Sequence, residues 1–449
     1  MLRKAALYLT VVIPMVCLLT GCLFYSGEEL YSLPQAPEDY LNLQEEINRV
    51  MSGGLEYVAP LSGTNTQLVQ MVDLSGDGTG EAVAFFRDNS SDMPLKLYIF
   101  RQMEEGYQTV CVIEGAGTAI NRVDYVDING DGWKEIVISW QMSAKVQSIS
   151  AYSVKDYEEV QLMQTSYTKY ALYDLDQDNQ TELVVLHNDA GGMSNNRVDY
   201  YDYEHNELVQ LYSVPMSEGI QEITTVKVGN LSDEKPALFV ESTLADNYLV
   251  TDIFAIQDDA FTCISRREDE ELSKDTVRNY TVYSQDVDKD GVFEAPRPER
   301  LPMYQNTGSD NYWLIRWYQY DSAGRSQLAF STYHNYSDGW FFILPDEWPE
   351  HITVSREDLV SGERTVVFSK WVDEQTPPVE FLKIYKLTGA NREERSKLQN
   401  RFILKRDDSN ADTIYVAEFV NQEQTSAFHL NQEEMIERFH LIISDWNIE

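Results

Sequence analysis

Five similar stretches recur along this chain at nearly even spacing, and any fold it adopts must repeat with them. They read DLSGDGTGEAVAFF after Val72, DINGDGWKEIVISW after Val126, DLDQDNQTELVVLH after Tyr173, GNLSDEKPALFVES after Val228 and DVDKDGVFEAP after Gln285. Their first positions are Asp73, Asp127, Asp174, Gly229 and Asp286, which lie 54, 47, 55 and 57 residues apart. Between them are short runs rich in Val, Ile, Tyr and Thr: Lys96–Arg101, Gln108–Ile113, Ser148–Val154, Arg197–Tyr203, Tyr248–Ile256 and Phe261–Arg266. Bounded by turn residues, such runs read as strands. No period contains a long apolar pattern at 3.6-residue spacing, which excludes stacked helical repeats.

Each period therefore holds about four strands, the content of one propeller blade. The expected fold is mainly β: a β-propeller of about five four-stranded blades over residues 66–335. The loops carry specific chemistry. In the second, Asp127, Asn129 and Asp131 occupy positions 1, 3 and 5, Gly132 position 6, Trp133 position 7 and Glu135 position 9. Oxygen side chains at alternate positions of a tight turn converge on one point, glycine supplies the left-handed bend, and position 7 offers its backbone carbonyl. The same frame holds Asp73, Ser75, Asp77, Thr79 and Glu81 in the first loop. It holds Asp174, Asp176, Asp178, Gln180 and Glu182 in the third, where Asn179 replaces the glycine, and Asp286, Asp288, Asp290, Val292 and Glu294 in the fifth. An all-oxygen cage suits a hard cation, so up to four Ca²⁺ ions are expected, tightest at the third and fifth loops. These are not EF-hands. Position 12 is Ala84, Ile138, Val185 or Arg297, and an apolar run suited to a strand follows in place of a helix.

This pattern resembles the FG-GAP or VCBS repeat, as in the N-terminal propeller of integrin alpha chains. The resemblance covers residues 66–335 and implies a calcium-supported propeller. Two loops depart from it. The fourth reads Gly229, Leu231, Asp233, Lys235 and Ala237, so a blade without calcium is expected, with Lys235 filling the space. Pro296 and Pro298 follow the fifth loop, and since proline cannot donate to a ladder, a shortened or displaced strand is expected there. The strand-like run Leu55–Ala59 is a candidate for closing the ring.

The N-terminus reads as an address. Arg3 and Lys4 precede an apolar run over residues 5–20, shorter than the roughly 20 residues a membrane span needs. It ends in Leu19-Thr20-Gly21-Cys22, which resembles a bacterial lipobox and implies cleavage after residue 21 and lipid on Cys22. Residues 1–21 are thus expected to be a signal peptide and 22–36 a tether. A helix follows, with Tyr40, Leu43, Ile47, Val50 and Met51 on one face, so residues 37–335 hold that helix and the propeller. After residue 335 the repeat stops. Aromatic strands, a short helix from Asn391 with Glu394 completing a capping box, and a longer helix capped by Asn431 and Glu434 indicate a small α+β domain over 336–449. In the last helix Met435, Ile436, Phe439, Ile442, Ile443 and Trp446 share one face. The order of these elements is loosely similar to PsbP-like domains.

Composition bounds the function. A formal net charge of −39 excludes a nucleic-acid partner. Four divalent ions would return only eight charges, so the acidity exceeds what calcium explains. Of four cysteines, only Cys111 and Cys263 are left after processing and lipidation, and they are expected to stay unbonded. A basic cluster, Arg392, Arg395, Lys397, Arg401, Lys405 and Arg406, is a solvated face or an anion or partner contact. No GxSxG, HExxH, Walker-type loop or CxxC is present. The expected role is a lipid-anchored binding or scaffold module at the bacterial cell surface, presenting loops to a protein or glycan. The alternative is an extracytoplasmic polysaccharide lyase or hydrolase.

Overall fold

The apolar run after each of the first four loops is buried on both faces, and this fixes the architecture. In the computed structural model the described residues are 38–188, 196–267, 269–304, 312–398, 400–407, 412–421 and 430–442. The signal segment, Cys22 and the tether lie outside them. The chain divides into two compact units, residues 1–122 with 156–159 and residues 123–155 with 160–449.

In the first unit, helix α1 (Glu38–Met51) buries Leu43 and Ile47 against Ala82, Ala84, Phe86 and Phe100. The sheet it covers contains β1 (Glu56–Tyr57), β2 (Val69–Val72), β3 (Glu81–Arg87), β4 (Leu95–Met103) and β5 (Gly106–Gly115). Strands β1 and β2 both pair with β3, so the Leu55–Ala59 run belongs to this sheet.

Three antiparallel four-stranded sheets follow, each in sequential order. One contains β6 (Ala119–Val126), β7 (Glu135–Gln141), β8 (Gln147–Ser153) and β9 (Val160–Tyr167). The next contains β10 (Lys169–Tyr173), β11 (Glu182–His187), β12 (Arg197–Glu204) and β13 (Glu207–Pro215). The fourth sheet contains β14 (Glu222–Asn230), β15 (Pro236–Thr243), β16 (Leu249–Gln257) and β17 (Ala260–Cys263). Cys111 and Cys263 are both free and buried.

Pleating explains the continuous apolar runs. On β11, Leu183 and Val185 pack with Ile128, Val137 and Ile149 of the second sheet. Val184 and Leu186 face the other way, onto Leu238, Val240 and Phe254 of the fourth. On β15, Ala237 and Phe239 turn to Ala295 and Tyr320 of the fifth sheet. Each buried Val, Leu, Ile or Phe here contributes roughly 1.5–3 kcal/mol relative to exposure.

The fifth sheet contains β18 (Glu294–Arg300), β19 (Trp313–Tyr320), β20 (Ser326–Asn335) and β21 (Trp340–Leu344). The expected strand damage at the prolines does not occur. Strand β18 pairs with β19 without a break from Glu294↔Gln319 to Arg300↔Trp313. The Glu294 N–H points the other way, to the Gln285 carbonyl at 2.9 Å. Pro296 and Pro298 share that orientation, so their missing donors face the preceding segment. Pairing there shrinks to the single Gln285–Glu294 bridge.

The sixth sheet contains β22 (Ile352–Val360), β23 (Glu363–Lys370), β24 (Val379–Thr388), β25 (Arg401–Arg406) and β26 (Thr413–Phe419), in the order β22-β23-β24-β26-β25. It shares one core with the fifth sheet, in which Leu314, Tyr333 and Trp340 meet Val354, Phe368 and Phe381. Helix α2 (Arg392–Ser396) starts at Asn391 without the expected side-chain cap. Helix α3 (Gln432–Arg438) has the reciprocal Asn431–Glu434 cap but is shorter than expected. Phe439–Leu441 instead forms strand β27 on the edge of β21, with Phe439 opposite Phe342. Closing that edge buries Phe439 against Trp340, while Ile436 is left exposed. Ile443 and Trp446 lie outside the described residues.

Gly229 opens the fourth loop because a Cβ there would sit 2.2 Å from the Phe293 ring. We expect Gly229→Ala to cost roughly 1–3 kcal/mol by overpacking. In denaturant unfolding, Gly229→Ala with Phe293→Ala should cost less than the two single changes added. A Gly229→Ala chain that unfolds like the parent would overturn this packing.

Candidate metal centres

Four of the five loops close on the same hydrogen bonds. The position 1 aspartate accepts from backbone N–H groups ahead of it: Gly76 and Gly78 donate to Asp73 at 2.8 and 3.0 Å, Asp131 and Gly132 to Asp127 at 3.2 and 2.9 Å. Asp178 and Asn179 donate to Asp174 at 3.1 and 3.0 Å, and Gly291 to Asp286 at 3.0 Å. The position 5 carboxylates Asp77, Asp131, Asp178 and Asp290 accept from the N–H of Thr79, Trp133, Gln180 and Val292 at 2.7–2.9 Å. Left-handed backbone occurs at position 6, as expected, but also at position 4, where Gln177 and Lys289 adopt φ of 65° and 66°.

The position 9 glutamate is the buried member of each set. Glu81, Glu135, Glu182 and Glu294 are at most 1% exposed. Each heads the second strand of its repeat and accepts the N–H of the loop's second residue: Leu74 at 2.9 Å, Ile128 at 2.9 Å, Leu175 at 2.6 Å and Val287 at 3.0 Å.

What faces these glutamates differs. In the third loop Asp174, Asp176, Asp178 and Glu182 each place an oxygen within 4.8 Å of the others. Glu182 Oε1 is buried and makes no hydrogen bond. Burial first, then the charges of Asp176, Asp202 and Asp174, push Glu182 up to about 8, against the Leu175 N–H. Asp176 is raised by burial and by Asp178. Asp202 sits on β12, one step beyond the Leu183–Tyr201 pair, and is itself raised by burial and by Asp178. It is a fifth carboxylate that no reading of the loop alone supplies.

In the fifth loop Asp286, Asp288 and Glu294 converge in the same way. Asp290 stands outside that set, and Gln319 donates to it at 3.2 Å and to Glu294 at 2.9 Å. Asp286 Oδ1 is buried without a hydrogen bond, and burial chiefly pushes Glu294 up to about 8. These two loops are the convergent acidic groups among the described residues.

The first two loops meet cations of the protein itself. Arg101 lies 3.2 Å from Asp77, and the Tyr157 hydroxyl donates to Glu81 at 2.7 Å. Lys155 lies 2.8 Å from Asp131, and against burial, which raises it, Lys155 and the Trp133 N–H together hold that carboxyl below its usual range. In the same loop Asn129 donates to Glu135 at 3.4 Å, and burial pushes Glu135 up to about 7. Ser75 places its hydroxyl beside Tyr157. In the fourth loop Asp233 accepts from Ser322, at 2.6 Å from its hydroxyl, and so caps the β19–β20 turn.

Among the described residues, His187, Asp199 and Ser213 lie together but not in the order of a nucleophile relay. His187 lies 3.0 Å from Asp199, and the Ser213 hydroxyl donates to the same Asp199 at 2.6 Å. The carboxylate is central there, whereas a nucleophile relay needs the imidazole between the other two. The basic cluster is largely paired, Arg392 with Asp412, Arg401 with Glu363 and Arg406 with Glu393. The chain matches no model of a known protein family, and no curated protein matches it.

The raised carboxyls set a sign. An unfolded glutamate titrates near ~4.3. Glu182 and Glu294 hold their protons to about 8 in the folded, metal-free chain. The folded state therefore binds more protons than the unfolded one between these values, so stability falls as pH rises through that window. We expect thermal unfolding in chelator to occur at lower temperature at pH 8 than at pH 6, and Glu182→Gln to weaken that trend. A metal-free protein that gains stability over the same interval would contradict it.

Proposed function

We propose that the chain is a lipid-anchored, extracytoplasmic binding or scaffold module. In this reading its repeated sheets are the blades of a calcium-supported β-propeller of the FG-GAP or VCBS kind. The observation that carries it is the recurrence itself: a loop of one design heads the buried strand in four sheets, and in two loops the acids converge. The stacking of sheets two to five, through both faces of the central strand in the third and the fourth, supports the blade reading.

Calcium fits the donor chemistry. Carboxylates and a backbone carbonyl suit a hard cation, and an unpaired buried Glu182 oxygen is a vacant acceptor that such an ion would satisfy. Asp174, Asp176, Asp178 and Glu182 would hold one ion, with Asp202 adding charge, and Asp286, Asp288 and Glu294 another. Arg101 and Lys155 compete with an ion at the first two loops, which makes those the weaker sites. The ion's role is structural: it neutralises the cluster and lets the loop close at the head of the central strand. Lipid on Cys22 would hold the module at the membrane, facing a protein or glycan ligand.

Extracellular calcium modules bind in the range ~10⁻⁴–10⁻³ M. At 100 times the dissociation constant one site adds about 2.7 kcal/mol to folding. The melting temperature should therefore rise clearly with calcium and fall with chelator. Asp174→Ala with Asp178→Ala should shrink that shift, while Asp233→Ala should lower stability equally with and without calcium. Indifference to both calcium and chelator would remove the metal reading. Mass spectrometry of the membrane-derived N-terminus should find lipid on Cys22. An intact Met1, or a free amine beyond Cys22, would remove the anchor.

A further inference from the structure

A cavity of about 460 Å³ opens at the end of the fifth sheet away from its acidic loop. Trp313, at the start of β19, pairs with Arg300, six residues along β18 from Glu294. At strand rise that is about 20 Å from the loop. The cavity size suits a ligand of two to three sugar rings' bulk, within the roughly 300–1,000 Å³ of small-molecule sites.

Its floor is aromatic. Tyr280 lies on Trp313 with ring centroids 5.2 Å apart at 34°, and Tyr336 adjoins Tyr280 at 6.0 Å. Tyr336 is 40% exposed, and Tyr280 and Trp313 are half-buried. Rings this close and this little tilted overlap in part, so Tyr280 and Trp313 form one stacked cluster that Tyr336 extends. They do not stand apart as the walls of a cage, which argues against a quaternary ammonium ligand.

The lip is polar and held in place. Arg356 donates to the Ser337 hydroxyl at 3.2 Å, Ser337 to Asn335 Oδ1 at 2.8 Å, and Asn335 to Asp338 at 2.9 Å. Asn335 is 7% exposed. Arg356 is the formal charge of the lining, and Asp358 at 2.8 Å and Asp338 at 3.8 Å balance it. Free phosphate or a carboxylate ligand would have to displace these partners.

The geometry points to a binding site for a neutral oligosaccharide. One pyranose ring lays its C–H face on the exposed part of this aromatic cluster, and its hydroxyls share hydrogen bonds with the lip that Ser337 and Arg356 form. An aromatic floor with a fixed polar lip matches a sugar's two kinds of surface. The inference rests on the binding-module reading and names its ligand class. It does not depend on the calcium loops.

The test is isothermal titration of the full-length protein in detergent, with calcium present. The probes are cellotetraose, xylotetraose, chitotetraose and laminaritetraose, with choline and inorganic phosphate as controls. We expect at least one tetrasaccharide to bind, and Trp313→Ala and Tyr336→Ala each to weaken it about tenfold or more. Trp313→Phe should restore much of the affinity, and an unchanged cooperative thermal unfolding transition would show that the variants fold. Binding indifferent to Trp313 and Tyr336 would overturn the site while leaving a glycan-binding module. Binding of no tetrasaccharide, or of choline or phosphate in their place, would overturn the inference. A calcium response retained in that case would leave the scaffold reading standing on a protein ligand.

Discussion

One bond recurs at the head of every acidic repeat: a buried glutamate carboxylate accepts the N–H of the second loop residue, seven positions earlier. It ties the turn to the strand that follows. Because that strand is buried on both faces, the carboxylate is carried inside with it, and a buried charge is costly unless something answers it. The repeats answer differently. Tyr157 donates to Glu81, Asn129 to Glu135 and Gln319 to Glu294, whereas one oxygen of Glu182 has no hydrogen-bond partner and Asp202 stands nearby. The answer is therefore graded along the chain: at the third loop the Tyr200 hydroxyl lies beside Glu182, yet one Glu182 oxygen is left without a hydrogen bond among the gathered acids.

That grading was not legible in the loops themselves. The frame of alternate oxygens, the left-handed position 6 and the buried strand after it all follow from residue types at fixed spacing. Asn179 at φ 71° is a clear case. The residues that tune each loop come from elsewhere: Arg101, Asp202 and Gln319 from the third strand of a repeat, Lys155 from just past such a strand. Their effect depends on the register between neighbouring strands, as in the Leu183–Tyr201 pair, which sets Asp202 one step on, at the head of β11. Pro296 and Pro298 show the same limit. Their missing donors were evident in the sequence, but which neighbour would lose its bonds depended on the direction of the Glu294 N–H. The C-terminal face from Met435 onward misled for another reason. Its periodicity is helical, yet an open edge on β21 offers Phe439–Leu441 a ladder and a core at once.

The fourth repeat shows what the stack needs when the acids are gone. Gly229 in place of aspartate leaves room for the Phe293 ring, which packs on Phe239 at 5.2 Å. The link between successive loops survives unchanged. Phe293 donates to the Asn230 carbonyl at 2.9 Å, just as Thr181 donates to the Ile128 carbonyl at 3.0 Å. Both bonds run from position 8 of one loop to position 2 of the loop before. These bonds join the second sheet to the third and the fourth to the fifth, with or without acids in the accepting loop; between the third and fourth, position 8 is Pro236, which has no N–H to donate.

It follows that the acids are not what makes the sheets stack. Apolar contact through Leu183, Val184, Val185 and Leu186 does that at the third repeat, and Ala237, Leu238, Phe239 and Val240 do it at the fourth without acids. A cation would act locally, on closure of the loop that starts each central strand. In the fifth sheet the same strands carry an acidic loop at one end and an aromatic cavity at the other. An ion at Asp286, Asp288 and Glu294 would stiffen the start of β18 without entering the cavity, because strand length separates the two. Calcium would then set how firmly the strands are held, and the aromatic floor would decide what they hold.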